Sequence, residues 1–255
     1  MRLATSEYGS GFPLLVLHGL FGSRDNCHTI ATRLSDLRRV VTIDLPNHGE
    51  SPHGDEFDYD VMVDAVVDTA SALGAEGFDL LGHSMGGKAA MRLAERRPDL
   101  VSRLVVVDIA PVDYPEHSHA NIIKAMRDTD LSRVSSRRDA DAQMKAAVPN
   151  GAVRAFLLKN LIKAGDNYSW RLNIDAIESN YEALRGYPDD ADVCETPALF
   201  VAGSRSDYIG SREREVIRRL FPRSEVQDVD GAGHWLHAEQ QDEFVDKVSR
   251  FLEDA

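Results

Sequence analysis

Ser84 lies at the centre of a glycine-flanked motif that is typical of serine nucleophiles. Residues 82–86, Gly-His-Ser-Met-Gly, match the pattern G-x-S-x-G. A buried strand is predicted before the motif and an Ala-rich helix after it, which is the context that gives this pattern its meaning. Glycine two residues before and two after the serine leaves room for a strained turn. We therefore predict that Ser84 is an exposed nucleophile, the alternative being an ordinary N-cap of the helix 85–96.

The serine hydroxyl needs a neighbouring base at neutral pH, and the chain has nine histidines. His234 comes directly after the last predicted strand and before the last predicted helix. A loop there can bring an imidazole over the carboxyl edge of a sheet. We predict His234 as the base, whereas His237 falls on the first helical turn and is expected to turn away. His18 and His48 are expected to shape the pocket by hydrogen bonding.

The base in turn needs a carboxylate that fixes its tautomer, and two aspartates follow predicted strands. Asp108 ends the run VVVD at 105–108, and Asp207 follows the strand predicted at 198–202. Both would lie at the carboxyl edge of the sheet, where catalytic groups gather in open α/β sheets. On geometry alone the two aspartates are nearly equal candidates.

The transition state of acyl transfer also needs hydrogen-bond donors for its negatively charged oxygen. The glycine-rich loop 18–22 offers the amide of Leu20, and Met85, directly after the serine, offers a second amide. The loop lacks the G-x-G-x-x-G pattern and the lysine of a phosphate-binding loop. We therefore expect an oxyanion hole rather than a phosphate site. The candidate walls of the substrate pocket are Phe21, His83, Tyr208 and Trp235.

No metal or cofactor is predicted from the sequence. His117 and His119 form an H-x-H pair, but no third ligand accompanies them, so we interpret both as polar surface residues. Cys27 and Cys194 are far apart and outside any C-x-x-C pair, which favours neither a disulfide nor a zinc site.

The elements that must position these residues follow an α/β pattern. Short apolar runs alternate with helical spacing over residues 1–111, which predicts a parallel sheet with right-handed crossovers. Residues 112–190 show helical spacing and no convincing strand, and the alternation resumes over 191–255. We predict an α/β core of 1–111 and 191–255, with a mostly parallel central sheet flanked by helices, and a helical cap at 112–190.

Composition excludes several other classes of protein. Acidic residues outnumber basic residues by 42 to 29 among 255 residues, giving a formal net charge of −13. This balance argues against a surface that neutralises nucleic-acid phosphates. No segment approaches the roughly 20 apolar residues that span a bilayer, and the N-terminus shows no secretory apolar stretch. We expect a cytoplasmic protein with neither nucleic-acid nor membrane partners, and the sequence leaves its oligomeric state open.

Several segments resemble, in order along the chain, the YbfF-type bacterial esterases, which are small α/β-hydrolases. The matching segments are HGLFGS at 18–23, DLPNHGES at 44–51, GHSMGGKA at 82–89, DIAPVDY at 108–114, FLLKNL at 156–161 and GAGHWLHAE at 231–239. The resemblance implies an α/β-hydrolase core, a helical cap inserted after strand 6, and hydrolysis of acyl esters. Acyl-CoA thioesters are among the substrates it suggests.

The resemblance also bears on the acid of the triad. In that group the aspartate of the DIAP motif serves the triad, and a serine occupies the usual later slot. Asp108 and Ser206 match these two positions. The resemblance therefore implies a triad of Ser84, His234 and Asp108 with Ser206 as an accessory residue. Asp207, beside Ser206, departs from the family pattern and remains the rival acid.

These observations predict a serine esterase or thioesterase that hydrolyses small or short-chain acyl esters through an acyl-enzyme. Basic cap residues could meet the phosphates of CoA, although a solvated helix face is the favoured interpretation; they include Lys124, Arg127, Arg137 and Arg138. A cofactor-free perhydrolase or a carbon–carbon hydrolase would keep the same triad and differ in pocket shape. A small-molecule receptor that retains the triad and signals through its cap is an alternative of another class.

Overall fold

A seven-stranded sheet forms the centre of the chain. The computed structural model describes residues 1–115, 119–165 and 167–253. The strands are β1 (Thr5–Tyr8), β2 (Pro13–Leu17), β3 (Arg39–Ile43), β4 (Phe78–His83), β5 (Val101–Val107), β6 (Leu161–Ala164), β7 (Asn167–Trp170), β8 (Ala198–Gly203) and β9 (Ser224–Val229). The order in the central sheet is β1-β3-β2-β4-β5-β8-β9. Within this sheet of the described residues, β1 pairs antiparallel with β3 and every other pair of strands is parallel, so the predicted mostly parallel sheet is confirmed.

Helices cover both faces of the sheet. They are α1 (His28–Leu34), α2 (Tyr59–Ala72), α3 (Met85–Arg96), α4 (Ala120–Arg127), α5 (Arg137–Met144), α6 (Gly151–Leu157), α7 (Ile174–Ser179), α8 (Tyr181–Arg185), α9 (Ser211–Leu220), α10 (Leu236–Glu239) and α11 (Gln241–Glu253). Apolar clusters form on both sides of the sheet, one including Leu80 and the other Leu81. Because both faces are buried, strands such as β2 and β8 are unbroken apolar runs rather than alternating ones.

The register of the parallel strands aligns their carboxyl ends. Leu17 of β2 lies opposite Gly82 of β4, and His83 of β4 lies opposite Val107 of β5. Val107 in turn lies opposite Val201 of β8. The residues that directly follow β2, β4, β5 and β8 therefore meet at one edge of the sheet, where ligands bind in open α/β folds.

The segment between β5 and β8 contains helices α4 to α8, but it is not purely helical. Strands β6 and β7 form an antiparallel hairpin, so the prediction of no strand was wrong. Helix α6 ends at Leu157 and is followed by a short 3₁₀ turn. A tertiary contact holds this turn against the core, in which the side-chain amide of Asn160 donates to the carbonyl of Phe21 at 2.8 Å. The segment follows the fifth strand along the chain, and its limits at 112 and 190 remain a prediction.

Lys88, for which the sequence predicted no role, anchors the segment between β5 and β8 to the core. It lies on α3 and is only 2% exposed. Its Nζ donates to the carbonyls of Val112, Arg185 and Gly186 at 2.8, 2.7 and 2.6 Å. Burial lowers the pKa of Lys88 to about 7, whereas the three acceptors match the three N–H bonds of an ammonium. One side chain thus joins α3 to both ends of the segment.

Replacing this lysine should loosen the attachment. We expect Lys88→Met to lower the free energy of unfolding by about 2 kcal/mol or more, because three half-buried carbonyls lose the ammonium donor. Lys124→Met is the matched control, since Lys124 is exposed and its ammonium pairs with Asp128 on the surface. Urea unfolding of both variants measures the difference. Equal stability of Lys88→Met and wild type would contradict an anchoring role.

Candidate active site

The backbone at Ser84 adopts the strained turn that the G-x-S-x-G motif predicts. Ser84 has φ 53° and ψ −118° and immediately precedes helix α3. A Cβ atom at Gly82 would lie 2.1 Å from the carbonyl oxygen of Gly86, and one at Gly86 would lie 2.5 Å from that of His18. Only glycine fits either position. Ser84 is 8% exposed rather than freely exposed, because the segment between β5 and β8 covers this edge of the sheet.

The carboxylate that contacts His234 is that of Asp108. Nδ1 of His234 lies 2.7 Å from Oδ2 of Asp108, which is fully buried directly after β5. Asp108 also accepts hydrogen bonds from the Gly203 amide at 3.0 Å and from the Ser206 hydroxyl. Asp207 is exposed, and among the described residues its carboxylate makes no hydrogen bond or ion pair with His234. The structure therefore brings Asp108 and Ser206 to the histidine, and leaves the rival acid outside.

Contacts on the other sides of His234 fix its orientation. Because Nδ1 faces a carboxylate, the neutral ring carries its proton there and Nε2 is the acceptor. The Tyr208 ring stacks on the imidazole at 4.0 Å between centroids. His83 contacts the loop from below, its Nε2 lying 3.0 Å from the His234 carbonyl, to which it donates. A Cβ at Gly203 would lie 2.4 Å from the Gly233 carbonyl, so glycine lets this loop approach β8 closely.

The two amides predicted for the oxyanion hole are available as donors. Met85 is the first residue of α3, where an N–H has no acceptor within the helix. The Leu20 amide makes no hydrogen bond to another residue in the described part of the chain. Both residues line a cavity that also contains Ser84. These N–H groups, held by a helix start and a tight loop, are the kind of rigid donors that stabilise an oxyanion.

Two buried histidines hold the Leu20 loop in place. The His18 Nε2 accepts from the Leu45 amide at 3.0 Å, and its Nδ1 lies 2.8 Å from the Gly19 carbonyl. The His48 Nε2 accepts from the Phe21 amide at 3.2 Å, and its Nδ1 lies 2.9 Å from the Pro46 carbonyl. Each ring therefore needs one protonated and one bare nitrogen. Burial lowers the pKa of His18 to about 4 and that of His48 to about 3. The expected hydrogen-bonding role of both residues agrees with this geometry.

The DLPNHGES segment at 44–51 supports the same loop. Asp44 is buried, and its carboxylate accepts from the Arg24 amide and guanidinium, both at 2.6 Å, and from the Glu50 amide at 2.9 Å. A Cβ at Gly49 would lie 2.1 Å from that carboxylate, and Gly49 has a φ of +57°. The carboxylate thus links the chain after the Leu20 loop to the chain after β3.

Two cavities meet at Ser84. The large cavity has a volume of about 230 Å³ and is mostly apolar; its walls include His18, Leu20, Phe21, His83, Ser84, His119, Ile122, Val153, Phe156, Leu157, Tyr208, His234, Trp235 and His237. The small chamber has a volume of about 40 Å³; it is lined by Leu20, Tyr59, Ser84, Met85, Lys88, Ile109, Tyr114, His119, Tyr181, Leu184, Arg185 and Tyr208. All four predicted wall residues, Phe21, His83, Tyr208 and Trp235, line the large cavity.

Two other histidines lie where the sequence did not predict them. His119 lines both cavities, so its interpretation as a surface residue was wrong; His117 lies outside the described residues. The position of α4 over the sheet edge half-buries His119. Residue spacing alone could not reveal this. His237, expected to turn away, also lines the large cavity, because its ring packs edge-on against His83 at 4.4 Å.

The described residues form neither a cluster of metal ligands nor a membrane-spanning helix. No group of three or more His, Cys, Asp or Glu side chains there is arranged to hold a metal ion. No helix in the same part of the chain has the length and apolar character needed to cross a bilayer. The expected cytoplasmic location stays a prediction.

Comparison with known proteins places the chain in a family. Residues 13–241 match the model of the α/β hydrolase fold, so the chain belongs to the α/β hydrolases. It is 34% identical to the esterase YbfF of Escherichia coli, over 95% of this chain and 93% of that protein. Mouse sn-1-specific diacylglycerol lipase ABHD11 is 39% identical, over 94% of this chain and 80% of that protein. The predicted resemblance to YbfF-type esterases is therefore confirmed.

A solved structure supports the same conclusion. A marine microorganism esterase superposes with a TM-score of 0.95 and 38% identity, covering 98% of this chain and 99% of that one. The predicted α/β-hydrolase fold is confirmed by this match and by the family model. With relatives named esterase and lipase across nearly its whole length, the chain is a carboxylic ester hydrolase, as the sequence predicted.

The buried histidines predict a loss of stability in acid. In the unfolded chain a histidine titrates near pH 6.5, whereas folded His18 and His48 stay neutral to about pH 4 and 3. Between pH 6.5 and these lower values, the unfolded state therefore binds more protons than the folded state. The contribution of these histidines to the free energy of unfolding falls as pH falls through this window. Each such histidine contributes a slope of up to about 1.4 kcal/mol per pH unit.

We expect His48→Gln to reduce this slope by about 1.4 kcal/mol per pH unit, because it removes one excluded proton. Urea unfolding at several values from pH 7 to pH 4.5, for wild type and variant, measures both slopes. A variant with the wild-type slope would show that His48 is not the buried neutral group described above.

Proposed function

We propose that the chain is a serine carboxylic-ester hydrolase with Ser84 as nucleophile, His234 as base and Asp108 as acid. The observation that carries the proposal is the 2.7 Å contact between His234 Nδ1 and the buried Asp108 carboxylate, beside the strained Ser84 turn on the same cavity. This contact directs the bare Nε2 of His234 away from the carboxylate, as a general base requires. Ser206 serves as an accessory that donates to the same carboxylate.

Acylation begins when the Ser84 hydroxyl gives its proton to Nε2 of His234 and its Oγ attacks the carbonyl carbon of the ester. The carbonyl electrons move to the oxygen, which the Leu20 and Met85 amides stabilise. The buried carboxylate of Asp108 stabilises the imidazolium. The bond to the leaving alcohol then breaks, and the alcohol oxygen takes the proton from Nε2. The product of this half-reaction is a Ser84 acyl-enzyme.

Deacylation repeats these steps with water. A water molecule gives one proton to Nε2 and attacks the acyl carbon, and the same two amides hold the oxyanion. Collapse of the intermediate releases the carboxylic acid, and Ser84 Oγ recovers its proton from the imidazolium. The enzyme returns to its starting state with one ester bond hydrolysed, and no cofactor enters the balance.

Small oxygen esters are the substrate class that we favour over acyl-CoA thioesters. The basic residues that could meet CoA phosphates already have protein partners in three of four cases. Lys124 contacts Asp128, Arg127 contacts Glu178, and Arg137 donates to the Leu158 and Leu161 carbonyls. An approaching phosphate would have to displace these partners, which supports the interpretation of a solvated face.

Removal of the nucleophile tests the proposal directly. We expect Ser84→Ala to lower kcat/KM for p-nitrophenyl acetate by at least ~10³-fold, because no acyl-enzyme can form. Ser71→Ala makes the same change on the exposed face of α2 and should keep full activity. Equal, feeble activity of wild type and Ser84→Ala on esters from acetate to decanoate would refute a hydrolase and favour a receptor.

Asp108 and Asp207 allow a second comparison of matched variants. We expect Asp108→Asn to lower kcat by about 10²- to 10⁴-fold, because an amide no longer holds the productive tautomer of His234 or stabilises its charged form. Asp207→Asn should leave kcat close to that of wild type, since Asp207 is exposed. Steady-state kinetics on p-nitrophenyl acetate compares the two. The opposite ranking would transfer the role of acid to Asp207.

A further inference from the structure

The two cavities that meet at Ser84 differ several-fold in volume. Their volumes are about 230 Å³ for the large cavity and about 40 Å³ for the small chamber. Leu20, Ser84, His119 and Tyr208 line both and form the junction. An ester has two arms on either side of its carbonyl carbon. A carbonyl attacked by Ser84 would therefore send one arm into each space.

The small chamber has room only for a short group. At roughly 10–15 Å³ for each water-sized group, 40 Å³ holds about three such groups. Its floor is rigid, because Ile109 is buried directly after Asp108 and packs against the helix that carries the nucleophile. Leu184, also buried, closes the chamber from α8. An arm of two or three carbons fits, and a long one does not.

The polar side chains that line only the small chamber already bond to the protein. All three N–H bonds of the Lys88 ammonium have carbonyl acceptors. The Tyr59 hydroxyl donates to the Leu184 carbonyl at 2.6 Å, and the Tyr114 hydroxyl donates to the Tyr208 carbonyl at 2.7 Å. The guanidinium of Arg185 donates to the Tyr114 carbonyl and to Glu182. A polar arm would have to break one of these bonds, so the chamber favours an apolar arm.

The position of His234 decides which arm enters which space. His234 and Trp235 line the large cavity and not the small chamber, whereas Met85, with one oxyanion amide, lines only the small chamber. The leaving oxygen takes its proton from Nε2 of His234, so the alcohol must lie on the histidine side. The acyl arm then points the other way. Apolar residues of the segment between β5 and β8 line the alcohol side, including Ile122, Val153 and Phe156.

We infer that the site selects esters of a short apolar acyl group with a larger apolar alcohol. The small chamber accepts the acyl group, and the large cavity accepts the alcohol. This inference rests on the proposed function, because it uses the proton transfer from His234 to fix the direction of the substrate. It adds the assignment of each cavity to one half of the ester.

A pair of isomeric esters separates the two orientations. Hexyl acetate and ethyl hexanoate have the same atoms and differ only in which arm is long. We expect wild type to hydrolyse hexyl acetate with a kcat/KM at least about tenfold higher, since the hexanoyl chain exceeds the small chamber. Released acid is measured by titration at constant pH, with Ser84→Ala as the blank.

Two variants of the cavity walls test the assignment further. Leu184→Ala enlarges only the small chamber and should raise the ratio of kcat/KM for ethyl hexanoate over hexyl acetate by about tenfold. Ile122→Ala is the matched control, because it enlarges only the large cavity and should not raise that ratio. Thermal unfolding verifies that both variants are folded.

The outcomes separate this inference from the proposed function. Ser84-dependent hydrolysis with equal rates on the two isomers, or with ethyl hexanoate preferred, would overturn the cavity assignment and leave the serine hydrolase intact. A ratio that responds to Ile122→Ala and not to Leu184→Ala would also overturn the assignment. Absence of Ser84-dependent hydrolysis of any ester, p-nitrophenyl acetate included, would overturn both.

Discussion

The buried carboxylate of Asp108 is the constraint on which the site depends. A fully buried charge is costly unless hydrogen-bond donors surround it. Its donors are the amide of Gly203, the hydroxyl of Ser206 and the imidazole of His234. All three come from chain that follows the segment between β5 and β8. The charge is therefore satisfied only when β8 has paired with β5 and the His234 loop has closed over the sheet edge.

The same closure also fixes the position of the segment between β5 and β8. Its two ends leave and rejoin the core close to α3, where Lys88 donates to carbonyls at both ends. Ser84 immediately precedes the same helix, so the strained turn and the anchor share one rigid element. Residues of the segment between β5 and β8 then complete both cavities. The walls of the cavities and the Ser84 turn at the sheet edge are thus linked through α3.

Neutral histidines are a recurring structural device around the site. His18 and His48 hold the loop of Leu20, and His83 donates to the loop of His234. Burial lowers the pKa of all three, and the bare nitrogens of His18 and His48 accept from backbone amides. A lysine or arginine could not replace His18 or His48, because it offers donors only. The cost is sensitivity to acid, since protonation of these two residues removes the acceptors that hold the loop of Leu20.

The sequence by itself determined the α/β pattern, the Ser84 turn and the choice of His234, because these depend on local spacing and on glycines that no other residue can replace. Strand positions alone left Asp108 and Asp207 nearly equal, since both follow strands that end at the same edge, and the choice of Asp108 came from the family resemblance. The tertiary structure separates them physically, by burying one carboxylate among three donors and exposing the other. The β6–β7 hairpin, the anchor at Lys88 and the place of His119 were likewise decided by long-range contacts, which leave no periodic signal in the chain.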